Sequence, residues 1–242
     1  MGKDVCLISK LIGSIPELSP PFLLDNDSVV IYTKEMNRYI TIDLEIEQPC
    51  TNPQTPDSLA LVPILIQAGI VVFEVVEFEP IILHSETINI KYTSPLSNFI
   101  KTLTSITDKD VNEATAYPTT VLLRLRELQQ EFDTSRQIVE WGSGDVTFLL
   151  EEANVTQTDF NSVYGFARST INVKVLYQLY AKMNGKKFQG GLATSMARVG
   201  LTFKGTRYNG KNKGKHWAEA DALNTARMFN TLCNLIKRVD NV

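Results

Sequence analysis

Apolar residues recur with two different periods along this chain. The run Tyr39 to Ile46 is β-branched, alternates, and ends in two carboxylates, Asp43 and Glu45, which is the pattern of a strand with one face set apart. Ile64 to Val76 and Ile81 to Ile90 are rich in Ile and Val and are separated by Glu77-Phe78-Glu79-Pro80. They read as two further strands of a meander. The longest apolar run, Leu59 to Phe73, contains Pro63 and Gln67. It is too short to span a bilayer, so it reads as buried sheet and no membrane association is expected.

Beyond residue 93 the period becomes helical. Ser94 to Leu103 starts a helix, and Thr107 or Asp108 caps a second start. Thr119 to Glu131 is amphipathic, with Val121, Leu122, Leu125 and Leu128 toward the core and Arg124, Glu127 and Glu131 toward water. Ser135 to Trp141 predicts a fourth strand, Val146 to Ala153 a helix, and Lys174 falls at the end of a short fifth strand or in a strand-to-helix connection. Val175 to Met183, Leu192 to Val199 and Glu219 to Val239 predict helices. A meander followed by alternating helices and strands predicts an α/β fold, a mixed five-stranded sheet flanked by helices.

Residues 1–37 do not read as part of that core. Ser14 to Pro21 holds three prolines, Asp25-Asn26-Asp27 marks a turn, and Ser28 to Thr33 is a short candidate strand. Pro49 to Ser58 is again turn-rich. The expected organisation is an N-terminal extension over 1–37, able to dock on a protein partner, and one main domain over 38–242. Nothing in the sequence specifies the oligomeric state.

The apolar and charged fractions, 43% and 21%, are those of an ordinary globular protein. Cys6, Cys50 and Cys233 are odd in number, far apart and without zinc-ligand spacing. They point to a reducing, cytoplasmic setting and away from a disulfide framework. Lys10 interrupts the short apolar stretch that follows Lys3 and Asp4, so no secretory signal is expected.

The net charge of −3 hides an asymmetry. From Phe160 to Ala218 there is no Asp or Glu, while eleven Lys and Arg residues give that segment +11 and leave −14 for the remainder. A basic face beside a cluster of acids suits a polyanion whose scissile phosphate must reach metal ions.

The acids form a pattern of their own. Asp43 and Glu45, at i and i+2 of a strand, share a face. Asp145 follows Trp141-Gly142-Ser143-Gly144, and His216 and Asp221 flank the start of the final helix. Hard divalent cations take carboxylate oxygens. Paired ions clamp the attacking and leaving oxygens of a displacement at phosphorus. An imidazole near its reference pKa suits a general base at neutral pH. Each residue alone also has a bland reading: an Asp at a strand end can be a turn, and Asp145 can be a cap after Gly144.

Taken together, Ile42-Asp43-Leu44-Glu45, Ile66-Gln67-Ala68-Gly69, Leu103-Thr104-Ser105-Ile106-Thr107, Trp141-Gly142-Ser143-Gly144-Asp145 and Gly200-Leu201-Thr202-Phe203-Lys204-Gly205 with His216 and Asp221 resemble the motifs of the DEDDh 3′-to-5′ exonucleases. This is the superfamily of RNase T and the proofreading subunit of DNA polymerase III. The likeness is greatest to its ERI-1-like branch, which trims RNA 3′ ends. It covers roughly Tyr39 to Leu235, with Ser105 where glycine is usual and a longer, more basic stretch from Thr206 to Lys215.

The resemblance implies a ribonuclease H-like fold and two divalent cations, Mg²⁺ or Mn²⁺. It implies Asp43, Glu45 and Asp221 on one ion, Asp43 and Asp145 on the other, and His216 as the base. The backbone of Leu44 would line the nucleotide pocket. Lys211, Lys213 and Lys215 form a basic loop read here as a mobile substrate clamp. The activity implied is 3′-to-5′ hydrolysis of single-stranded nucleic acid, RNA in preference to DNA, releasing nucleoside 5′-monophosphates. The competing readings are a non-catalytic nucleic-acid-binding or assembly module and a proofreading subunit acting on DNA.

Overall fold

The structure, a computed structural model, describes residues 37–49, 60–188 and 190–239. The expectations for residues 1–36 and for the turn-rich stretch 50–58 lie outside the described residues.

Strands β1 (Arg38–Glu47), β2 (Ile64–Glu74) and β3 (Ile81–Asn89) form the expected antiparallel meander. Helices α1 (Asn98–Thr104), α2 (Asp108–Asn112) and α3 (Pro118–Phe132) follow, and then β4 (Ile138–Glu140) and α4 (Asp145–Glu152). The chain continues through α5 (Gln157–Ser162), β5 (Ile171–Asn172), α6 (Val173–Met183) and α7 (Leu192–Arg198). A small ribbon, β6 (Thr206–Tyr208) and β7 (Lys211–Lys213), precedes the long α8 (Ala218–Val239). The sheet order is β3-β2-β1-β4-β5, with β4 and β5 parallel to β1. This is the mixed five-stranded sheet that the alternation of elements predicts.

Both sheet faces are covered, which is why β2 reads as nearly continuous apolar sequence. Ile40, Ile42, Leu44, Ala68, Ile70 and Val72 pack with Val121, Leu122, Leu125 and Leu128 of α3 and Leu149 of α4. Val71, Phe73 and Val139 pack on the other face with Tyr177, Met196, Ala226 and Phe229. A third cluster joins Ile66, Ile100, Ile106 and Val111 to Trp217. Among the described residues no helix is long and apolar enough to cross a membrane.

Several boundaries differ from the sequence pattern. The first helix starts at Asn98 because Ser97, in extended geometry, caps it through Ile100 N–H. Thr107 caps α2 in a capping box with Asp110. The fourth strand is only Ile138–Glu140, and ahead of it Ser135 N–H donates to Arg38 O while Arg136 O accepts from Ala167 N–H. Arg124 is half-buried and bonds Glu86 on β3 at 2.8 Å, so it is not simply turned to water.

The basic stretch after Gly205 is an antiparallel hairpin, where the sequence pattern predicts a loop. Asn209 (φ 48°) and Gly210 (φ 77°) both have positive φ at its tip. Asn-Gly is the residue pair that a two-residue hairpin turn favours, a signal masked by the run of lysines around it.

Candidate active site

Alternation along β1 puts Asp43 and Glu45 on one face, opposite Gly69 and Gln67 of β2. Thr41, on the same face, donates to Ala222 O at 3.0 Å, so α8 lies across this surface. The helix start is pinned by four contacts. Gln67, fully buried, accepts from Ala218 N–H at 3.1 Å. Glu219 accepts from Ser85 Oγ at 2.5 Å and Thr87 Oγ1 at 2.7 Å. Trp217 Nε1 donates to Thr87 Oγ1 at 3.1 Å. Gly69 completes the seat, because a Cβ there would lie 2.1 Å from Ala218 C and from Glu219 N. The first turn of α8 therefore delivers Asp221 to the acids of β1.

Asp145 is the first residue of α4 and not its cap. Gly144 (φ 136°) lets the chain leave β4 and begin a helix within a few residues. Buried Glu140, at the end of β4, accepts from Val146 N–H at 3.4 Å and from Thr170 Oγ1 at 2.6 Å. It supplies the start of α4 with an acceptor and sets a fifth carboxylate beside Asp145.

His216 is exposed and has φ 61°. A left-handed backbone on a non-glycine residue costs on the order of 1–2 kcal/mol. It is held by a bond from His216 N–H to Asp221 Oδ2 at 2.9 Å. Glu45, His216 and Asp221 each offer one ligand atom, and these lie within 4.8 Å of one another.

Electrostatics shows that the four acids share a site. Burial, and then repulsion from Asp145, Asp221 and Glu45, pushes the Asp43 carboxyl well above the usual range. Burial, with Asp221 and Asp145 adding to it, pushes Glu45 up to about 9. Asp145 rises to about 7 through burial and then Glu140. Asp221 is also raised by burial, opposed by the His216 N–H bond, His216 and Lys215. Oxygen donors that burial and mutual repulsion drive toward the protonated state fit divalent cations, which compensate both effects.

The other candidates divide. Leu44 points to the opposite face and is buried in the core, so only its backbone can face a ligand. Lys211 and Lys215 are exposed. Lys213 is turned inward: its Nζ lies 4.0 Å above the Trp217 ring and donates to Ser105 O at 3.1 Å. That geometry sets Lys213 apart from the other two lysines of the ribbon segment. A cation–π contact of this kind contributes about 1 kcal/mol. Trp141 packs on Tyr177, ring centroids 6.4 Å apart.

Gln67, Gly69, Glu140 and Glu219 join the site without standing out in the sequence as site residues. Two of them carry a signal. Gln67 is a polar residue in the middle of an otherwise apolar strand interior, and a glycine within a strand marks close backbone approach. Asn224 supports the site at one remove: it bonds Lys204 N–H at 3.0 Å and donates to Lys204 O, tying the segment before the hairpin to α8.

No protein-family model and no curated protein matches the sequence. Solved structures do match. The nuclease domain of 3′hExo, a DEDDh family member, bound to rAMP, aligns with a TM-score of 0.57 at 17% identity, over 83% of this chain and 93% of that one. Cell-death related nuclease 4 (CRN-4) aligns at 0.60 and 16%, over 83% of this chain and 64% of that one. The 3′-exonuclease that recognises the 3′ end of a histone mRNA stem-loop gives 0.59 and 18%, over 83% and 64%. The chain thus spans less than two thirds of the last two. With this sheet order, these flanking helices and these alignments, the chain has the ribonuclease H-like fold of the DEDDh 3′-exonucleases.

Proposed function

We propose that this chain is a metal-dependent 3′-to-5′ exonuclease acting on single-stranded nucleic acid, with RNA preferred to DNA. The observation that carries the reading is the convergence of Asp43, Glu45, Asp145 and Asp221 from three distant segments into one mutually repelling group beside His216. Asp43, Glu45 and Asp221 would hold one divalent cation, and Asp43 with Asp145 a second. Such a pair, when bound, supplies charge stabilisation to both the attacking and the leaving oxygen at phosphorus.

The chain's own residues do the rest. His216 takes the proton of the attacking water as its oxygen bonds to phosphorus and the 3′ oxygen of the penultimate nucleotide leaves, freeing a nucleoside 5′-monophosphate. In support of that role, the exposed residue offers a ring nitrogen within 4.8 Å of carboxylate oxygens of Glu45 and Asp221. The RNA preference rests on the motif resemblance of the Leu103–Thr107 and Trp141–Asp145 segments.

The test is digestion of 5′-labelled single-stranded RNA and DNA of matched sequence with Mg²⁺ or Mn²⁺. A ladder shortening from the 3′ end, abolished by EDTA, is expected, with RNA consumed faster. Binding of both strands without shortening would overturn the reading in favour of a non-catalytic module.

Exposed Lys211 and Lys215 are proposed to meet backbone phosphates. The Lys211→Met/Lys215→Met variant should bind single strands more weakly. Its salt dependence should be flatter by about 0.7 in log–log slope for each phosphate no longer neutralised. An unchanged slope would remove both lysines from the substrate path.

A further inference from the structure

The ribbon β6–β7 is one part of the chain that departs from the family pattern, and one of its lysines is spent on the protein itself. Lys213 Nζ reaches two targets at once, the Trp217 ring face at 4.0 Å and Ser105 O at 3.1 Å. Tyr208, on the facing strand, packs its ring on Trp217 with centroids 4.9 Å apart and accepts from Asn89 Nδ2 at 2.8 Å. Trp217 is fully buried and also bonds β3 through Thr87. Burial draws the Lys213 ammonium below the usual lysine value, with Asp110 opposing and Lys211 adding to the effect.

Trp217 immediately follows His216, whose backbone is left-handed and whose ring is exposed. An exposed ring on a strained backbone keeps its place only if both neighbouring segments are held. The C-terminal side is held by α8 and by Asp221. The N-terminal side is held by the ribbon, and Lys213 is the ribbon's inward cation. Ser105, which accepts from it, is itself the left-handed C-cap of α1. The contact therefore also ties the His216 segment to the Leu103–Thr107 segment.

We infer that Lys213 is a positioning residue: it fastens the β6–β7 ribbon onto Trp217 and Ser105 and so holds His216 beside Glu45 and Asp221. Lys213 then acts on turnover and not on substrate charge, in contrast to Lys211 and Lys215. The inference rests on the exonuclease reading for its kinetic part only.

The experiment compares Lys213→Met, Lys213→Arg, Tyr208→Phe and Lys211→Met with the native protein. It reads kcat and KM on single-stranded RNA, the salt dependence of RNA binding, and the His216 ring signals by NMR of the metal-free protein. With two histidines in the chain, the His216 signals are assignable by difference.

Displacing a reacting group by about 1 Å can lower the rate up to about 100-fold. Lys213→Met is therefore expected to lose kcat about tenfold or more at an unchanged KM and salt slope, with shifted or broadened His216 signals. Lys213→Arg, which keeps the cation over the ring, should restore all three readings. Tyr208→Phe should move in the same direction as Lys213→Met, and it carries the test if that variant fails to fold. Lys211→Met should show the reverse split, with KM and salt slope changed and His216 signals native.

A raised KM and flattened salt slope in Lys213→Met, with native kcat and native His216 signals, would overturn the inference and make Lys213 a phosphate ligand. If the native protein degrades nothing, the exonuclease reading falls. The His216 signals of Lys213→Met then decide the fastening alone, and unchanged signals would sink it.

Discussion

Asp43→Asn is expected to abolish nuclease activity and, at the same time, to raise the melting temperature of the metal-free protein. The two effects share one cause. Asp43 is half-buried among Glu45, Asp145 and Asp221, and each carboxylate raises the cost of ionising Asp43. Asparagine keeps the shape and removes a charge. Relief of even one pKa unit of repulsion is about 1.4 kcal/mol, or roughly 3–6 °C for a domain of this size. Loss of the carboxylate proposed to bridge two cations leaves the displacement at phosphorus without its charge stabilisation. A fall in rate of about 1000-fold or more is expected. A metal-free variant no more stable than the native protein at pH 8 would show that the acids do not repel as inferred.

The same repulsion fixes the sign of the pH dependence. The Glu45 carboxyl is raised from 4.5 to about 9 in the folded protein. Between those values the folded state retains a proton that the unfolded state has released. The metal-free protein therefore loses stability as pH rises through that window. Binding of the proposed cations should displace the proton and grow tighter over the same window. Mg²⁺ or Mn²⁺ at about 100 times its Kd should add about 2.7 kcal/mol, a rise of roughly 5–11 °C. At one fixed cation concentration the increment should be larger at pH 8.5 than at pH 6. Scanning calorimetry with and without EDTA at the two pH values checks it, and an equal increment at both would contradict the proposed donor set.

Gly69→Ala is the second large effect, and it arises outside the set of chemical groups. The added Cβ meets backbone atoms of Ala218 and Glu219 at 2.1 Å, and backbone cannot swing aside as a flexible side chain can. The start of α8 must lift, and with it Asp221 and the His216 segment. Overpacking of this kind costs up to about 3 kcal/mol, a fall of roughly 6–12 °C in melting temperature. The displaced acid should lower activity about 100-fold. The informative reading is the metal response: the rise in melting temperature with Mg²⁺ should shrink because one of the proposed ligands has moved. Native activity in Gly69→Ala would mean that α8 does not need this seat.

What could be read in the sequence was what repeats locally. Alternation from Tyr39 to Ile46 implied a strand with Asp43 and Glu45 on one face, and the structure has both facing α8. The 3.6-residue period of Thr119 to Glu131 implied Val121, Leu122, Leu125 and Leu128 at the core, and all four are fully buried. Helix caps such as Thr107 were legible because side-chain and backbone partners lie three residues apart. The order of the elements then allowed few folds besides a meander continued by parallel strands.

Tertiary structure decided whatever depends on residues distant in sequence. That Lys213 faces Trp217 while Lys211 faces water follows from how a ribbon docks, and three lysines at alternate positions of similar sequence carry no mark of it. That Gly69 seats a helix begun about 150 residues later, and that Glu140 crowds Asp145 across a turn, depend on through-space distances. Packing energies fall off within a few ångströms and screened Coulomb energies within about 10 Å, so a composition or a period cannot contain them. Sequence determined which side chains are offered to this site, because side-chain periodicity is a property of the local backbone. The fold determined how closely they meet, and with it their protonation, because repulsion and burial are properties of the assembled core.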